Sequence, residues 1–179
     1  RQEDRRADWP GAEGSAAAPA AADVSVGVAD DRGKLAEDGG AAFFASMRDV
    51  GLTENRITVA WDPDQPTTIR DQAALDRYMA NAAAAGIRIT VVIAPTRARA
   101  LFNSTTATNQ FVAFIAQVAR TYRQVKDIGV GNEPNQPRFW QPQSSTRGAG
   151  LACTTYARVL GQAYDALKAV DPAIRVIGL

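Results

Sequence analysis

From Val24 onward the chain alternates two hydrophobic rhythms, and their order predicts the architecture. Short apolar runs suit strands: Val24–Val28, Arg56–Trp61, Ile87–Ala94, Asp127–Gly131 and Ile174–Leu179. Between them lie longer stretches whose apolar residues recur every three or four positions, the period of one helix face. Phe43, Phe44, Met47 and Val50 stripe the first, over Ala41 to Val50, and Gly51 is placed to end it. Leu75, Tyr78, Met79 and Ala82 stripe the second, which Thr68 and Asp71 open in a capping-box pattern and Gly86 closes. The third carries Phe111, Phe114, Ile115, Val118, Tyr122 and Val125 behind a Thr108 cap. The fourth, capped by Thr154 or Thr155, carries Tyr156, Leu160, Ala163, Leu167 and Val170. The Ile/Val run at 87–94 predicts a strand buried on both faces.

The resulting order, βαβαβαβαβ, predicts parallel strands joined by right-handed crossovers in an α/β domain. A doubly wound sheet and part of a (β/α)8 barrel both fit the alternation. The turn between Gly27 and Gly40 holds neither a glycine-rich dinucleotide fingerprint nor a phosphate-loop lysine, which weighs against a nucleotide-binding sheet. Long polar loops follow the strands and short ones follow the helices, as in a barrel that carries its chemistry at the strand C-termini. Residues 1–23 are charged and then rich in Ala, Gly, Pro and Ser without periodicity, and are expected to form a disordered tail or linker ahead of a barrel portion spanning 24–179. A chain that begins with Arg1 is expected to be a processed product or a fragment.

Composition narrows the chemistry. The sequence has no histidine, so Ser-His-Asp triads, Cys-His pairs and the commonest metal ligand are absent. The single cysteine, Cys153, cannot form an internal disulfide and reads as a small half-buried residue at a helix start. A net charge of +1 and scattered arginines, 17 against 3 lysines, give no field directed at nucleic acid, and no apolar run is long enough to span a membrane. No cofactor is called for. Acid–base work falls to carboxylates, tyrosines, lysines or the thiol. Lys34, Lys126 and Lys168 do not directly follow strands, which disfavours a Schiff-base barrel enzyme.

The residues past the strand ends mix carboxylates, amides, arginines and aromatics: Asp30, Asp31 and Arg32; Trp61, Asp62 and Asp64; Arg97, Arg99, Phe102 and Asn103; and Asn132, Glu133, Asn135, Arg138, Phe139 and Trp140. Sugars require such a mixture, with polar groups for hydroxyls and flat rings for the apolar ring faces. The run Val130-Gly-Asn-Glu-Pro-Asn-Gln-Pro-Arg-Phe-Trp140, with Trp61-Asp62-Pro63 ending the second strand, resembles the clan A retaining glycoside hydrolases, near families 5 and 39, which are (β/α)8 barrels. The resemblance covers residues 24 to 179.

The resemblance implies that Glu133 is the general acid/base, kept protonated by burial and a second carboxylate. Asn132 would bond the sugar 2-hydroxyl, and Trp140 or Phe139 would stack on a ring. Trp61, Asp62 and Asn135 complete the expected substrate contacts, with turn and rim roles as the alternatives. The nucleophile of such an enzyme is a glutamate ending a seventh strand, and the sequence reaches only a fifth. A polysaccharide or oligosaccharide is the expected substrate, secretion the expected location, and either a missing C-terminal half or a second chain the expected completion of the barrel. A non-catalytic carbohydrate-binding or scaffold module on a barrel-derived fold is the competing expectation.

Overall fold

The computed structural model describes residues 24–178. Its elements are β1 (Gly27–Ala29), a 3-10 turn (Gly33–Leu35), α1 (Ala41–Asp49), β2 (Glu54–Trp61), α2 (Gln72–Ala85), β3 (Arg88–Pro95), α3 (Thr105–Thr121), β4 (Asp127–Val130), α4 (Leu151–Val170) and β5 (Arg175–Ile177). The strands form one sheet in the order β1-β2-β3-β4-β5, every neighbouring pair parallel. Five parallel strands alternating with four helices make a partial (β/α)8 barrel, as the alternation predicts.

Strand β2 shows how the two sheet faces divide. Asn55, Ile57, Val59 and Trp61 are buried, while Glu54, Arg56, Thr58 and Ala60 between them remain partly accessible. The buried set faces the helices: Trp61 packs against Phe111 of α3 with ring centroids 5.3 Å apart, and Asn55 meets the Tyr78 hydroxyl of α2. The accessible set faces what a closed barrel would enclose. In β3 the consecutive residues Val91, Val92 and Ile93 are all buried, so the two-sided burial expected of that run holds at its centre. The helix stripes at Leu75–Ala82 and Phe111–Val118 enter the core as predicted, and removing a side chain such as Phe111 from it would cost about 3–5 kcal/mol.

Several local expectations are corrected. The first strand pairs only over Gly27–Ala29, leaving Val24 and Val26 exposed. Val50 is exposed as well, because α1 has ended at Asp49. Gly51 and Gly86 end α1 and α2 with φ +79° and +71°, as expected. No Thr68–Asp71 capping box forms; Asp71 itself precedes α2 and its side chain caps nothing. Ser104, not Thr108, caps α3, accepting from the Ala107 N–H at 3.1 Å. Thr108 lies one turn inside, its hydroxyl donating back to the Ser104 carbonyl. Helix α4 begins at Leu151, so Thr154 and Thr155 lie within it, and Cys153 is exposed rather than half-buried. At α3 the two polar candidates sit four residues apart, a distance at which the apolar stripe alone cannot choose the first turn.

The two ends of the strands differ in chemistry. The first residues of β2 to β5 are Glu54, Arg88, Asp127 and Arg175, and they form a continuous ion-paired chain. Asp127, 4% exposed, accepts from Arg88 Nε at 2.7 Å and from Arg175 Nε at 2.5 Å. This chain ties the N-terminal rim together, the end a barrel uses for stability. Among the large exposed hydrophobics of the described residues, Val24 and Val26 lead into β1 and Ile177 lies in β5, the two edge strands of the sheet. Residues 1–23, the expected tail, and Leu179 at the end of the expected fifth strand lie outside the described residues.

Candidate active site

The loop after β4 is built on a sharp change of backbone direction. Gly131 stands at φ +75°, and its Cα approaches the rings of Trp140 and Tyr156 so closely that a Cβ there would sit 3.4 Å from each. Those rings meet edge to face, 5.4 Å apart, and the Tyr156 hydroxyl donates to the Val130 carbonyl at 2.9 Å. Helix α4 and the far end of the loop thereby hold the last residue of β4. Glu133 follows at φ +38°, in the left-handed region that side-chain-bearing residues seldom occupy. A turn closed by the Gln136 N–H to the Glu133 carbonyl at 2.8 Å carries the chain onward. Gln143 Nε2 donates to the carbonyls of Pro134 and Trp140, and the Gln141 N–H donates to the Ala98 carbonyl of the preceding loop. The loop is thus braced from three directions around Glu133.

Asn132, Glu133, Asn135 and Phe139 are brought to the C-terminal face together. Asn132 is half-buried, and its Oδ1 accepts from Arg56 Nη2 at 2.7 Å. Glu133 is exposed rather than buried, with no ion pair among the described residues. Asn135 is exposed, and Phe139 is half-buried beneath the Arg138 guanidinium, 5.4 Å from its ring centre. The two tryptophans are corrected. Trp140 is 3% exposed against Tyr156 and Trp61 is fully buried against Phe111, its indole N–H donating to the Pro66 carbonyl. Neither offers a ring face to a sugar in this arrangement, because the apolar area of an indole is worth more in the core than on a rim.

The carboxylates directly after β1 and β2 are engaged by cations. Asp30 holds Arg32, which draws its carboxyl below the usual aspartate range, and Asp31 holds Lys34 at 2.9 Å. Asp31 also accepts the Thr58 N–H and Lys34 reaches the Thr58 carbonyl, so this pair occupies the upper edge of β2 where β1 has stopped. Asp62 binds Arg70 at 3.1 Å and accepts the Asp64 N–H, while Asp64 binds Arg97, which lowers the Asp64 carboxyl. Asp62 therefore serves as a loop pin between β2 and β3. No group of three or more His, Cys, Asp or Glu among the described residues could hold a metal ion.

Two residues at the site escaped the sequence reading. Arg56 is charged at an inward position of a strand, a departure from the apolar alternation that could have marked it. Tyr156 falls in the apolar stripe of α4, and periodicity carries no sign that its hydroxyl reaches β4.

No protein-family model and no curated protein matches the sequence. Solved structures do match the fold. A family 39 glycoside hydrolase from the gut symbiont Bacteroides cellulosilyticus aligns with 86% of this chain at TM-score 0.62 and 18% identity, using 31% of its own length. An endoglucanase from the hyperthermophilic Thermotoga maritima aligns over 86% at TM-score 0.61 and 18% identity, using 50% of its length. An α-L-fucosidase from Bacteroides thetaiotaomicron aligns over 76% at TM-score 0.50 and 16% identity, using 33% of its length. The chain is similar in fold to several distant barrel glycosidases rather than to one family among them, and it spans a third to a half of these solved chains.

Proposed function

We propose that the chain is the proton-handling portion of a retaining glycoside hydrolase barrel, with Glu133 as general acid/base. The observation that carries this reading is the placement of Glu133: a carboxyl just past β4 on the C-terminal face with no ion pair among the described residues, while Asp30, Asp31, Asp62 and Asp64 are held by cations. In the proposed reaction Glu133 gives its proton to the leaving glycosidic oxygen and later takes one from the attacking water. Asn132 bonds the 2-oxygen, and Phe139 with Asn135 lines the substrate path. The partner carboxylate must stand about 5 Å away. It comes from polypeptide that covers the open β1 and β5 sides, and that same cover would bury Glu133 and the exposed Val24, Val26 and Ile177. The substrate of this reading is a polysaccharide or oligosaccharide, and a secreted working enzyme is proposed with it because a polysaccharide is met outside the cell.

The test is a titration of the isotope-labelled chain with xylotetraose, cellotetraose and mannotetraose. Resonance shifts confined to residues 132–139 and the adjoining loop at 96–103 are expected with at least one sugar; no response at Asn132 or Glu133 to any of them refutes the reading. The 179-residue chain by itself is expected to leave aryl β-glycosides intact. Hydrolysis that disappears in Glu133→Gln would show instead that both carboxyl groups lie within these residues.

A further inference from the structure

The inward face of the sheet places Ala29, Arg56, Thr90, Asp127 and Arg175 in one register row. Arg56 and the buried carboxylate of Asp127 therefore share a level. Coulomb attraction alone would send the Arg56 guanidinium toward that carboxylate. It goes the other way. Asp127 is taken by Arg88 and Arg175 on the N-terminal rim, while Arg56 reaches past the end of β4 to a neutral amide. The rows above Arg56 are Thr58 with Val92, Gly129 and, at the far edge, Ile177, then Ala60 with Ala94, so between Arg56 and the end of β4 the side chains on that wall are mostly short.

The identity of the donor decides what Asn132 can offer. A guanidinium only donates hydrogen bonds, so the amide atom facing Arg56 is the oxygen. The terminal torsion of a free asparagine is broad and nearly two-fold, and both amide faces are otherwise accessible. With Oδ1 held at 2.7 Å by a charged donor, both Nδ2 hydrogens are directed away from Arg56. We infer that Arg56 is a positioning residue: it fixes the Asn132 amide so that Asn132 meets its ligand as a hydrogen-bond donor. The ligand atom is then an oxygen acting as acceptor, and the contact strengthens as that oxygen gains negative character. This assignment rests on the glycosidase reading for the nature of the ligand, but the pairing of Arg56 with Asn132 does not.

The experiment follows the side-chain amide of Asn132 in the labelled 179-residue chain, with the exposed Asn135 as internal reference. In Arg56→Met the Asn132 Nδ2 and Hδ2 resonances are expected to move toward those of Asn135; in Arg56→Lys, which keeps the charge and a donor, they fall between. The reciprocal variant Asn132→Ala sits on a loop, does not disturb the sheet, and is expected to move the guanidinium resonances of Arg56. An unmoved Asn132 amide in a folded Arg56→Met chain, or an unmoved Arg56 signal in Asn132→Ala, overturns the pairing. The tetrasaccharide titration separates the two claims. Arg56→Met is expected to weaken the sugar that contacts Asn132 about tenfold, the equivalent of roughly 1.4 kcal/mol. Equal affinity in wild type and Arg56→Met overturns the positioning role and leaves the glycosidase reading standing. Sugars that never perturb Asn132 or Glu133, beside an Asn132 amide that still answers to Arg56, overturn the glycosidase reading alone.

Discussion

Asn55 gives the sharpest stability prediction. It is a fully buried polar residue on the helix-facing side of β2, where its neighbours at alternate positions are Ile57, Val59 and Trp61. Its Oδ1 accepts the Asp30 N–H at 3.3 Å, and its Nδ2 donates to the Asp30 carbonyl at 3.1 Å and to the Tyr78 hydroxyl. One side chain thus fastens the end of β1 to β2 and to α2. Burial pushes the Tyr78 phenol above its ordinary range, and the Asn55 contact acts against that rise. In Asn55→Ala, three hydrogen bonds of about 1 kcal/mol net are lost. The Asp30 peptide is partly exposed and recovers water, but the fully buried Tyr78 hydroxyl does not. The sum is a destabilisation of about 2–4 kcal/mol. With a urea dependence of roughly 2 kcal/mol per molar for a domain of this size, the midpoint falls by about 1–2 M. Urea unfolding followed by fluorescence of the buried Trp61 and Trp140 reads this directly. A double-mutant cycle with Tyr78→Phe should return a coupling of about 1 kcal/mol, the share of the direct contact. A midpoint loss below about 0.25 M, or strict additivity of the two variants, would refute the reasoning.

Four further predictions follow from the same structure. Asp127→Ala removes the acceptor of two arginines on the N-terminal rim; because Arg88 and Arg175 are about half exposed and can rehydrate, the expected cost is about 1–3 kcal/mol by thermal unfolding, with no change in tetrasaccharide binding. Ser104→Ala should cost about 0.5–2 kcal/mol and Thr108→Ala should not reproduce a cap loss, a comparison that amide exchange in the first turn of α3 resolves. Stability should decline in acid: Asp38 accepts the Ala42 and Gly40 N–H groups and its carboxyl is lowered by them, as Asp171 is by Lys126. Groups depressed in the fold stabilise it above the unfolded value near pH 4 and lose that contribution as pH falls through the folded value, so Asp38→Ala should show a shallower decline below about pH 4 in pH-dependent melting. Trp140→Ala opens the contact with Tyr156 under Gly131 and should cost about 3–5 kcal/mol, whereas Phe139→Ala should leave the melting temperature nearly unchanged and reduce sugar binding.

The order of elements, the helix stripes and the place of Glu133 at the end of β4 were legible from residue pattern alone. Periodicity is a local property: a residue's neighbours at two, three or four positions decide which face is apolar, and those neighbours are written beside it. Glycines that end helices are legible for the same reason. The helix starts are less legible: Ser104 and Thr108 are both polar and one turn apart at α3, and only Ser104 caps it, while α2 and α4 begin after Asp71 and Gly150 with no side-chain cap at all.

The tertiary structure decided everything that depends on residues far apart in the chain. Trp61 and Trp140 have the composition of sugar platforms, and only the arrival of Phe111 and Tyr156 turned them into core. Asp62 has the composition of a ligand, and only Arg70 and Arg97 made it a loop pin. Arg56 and Asn132 stand 76 positions apart, so nothing near either residue announces the other. The sequence by itself determined a run of βα units and a glutamate placed where a barrel does chemistry. The tertiary structure determined which neighbours that glutamate has, which aromatics remain free to meet a ligand, and which way the adjoining amide faces. The physical reason is that backbone periodicity is fixed by contacts within a turn or a pleat, whereas side-chain environment is fixed by strands and helices that meet only once the sheet has formed.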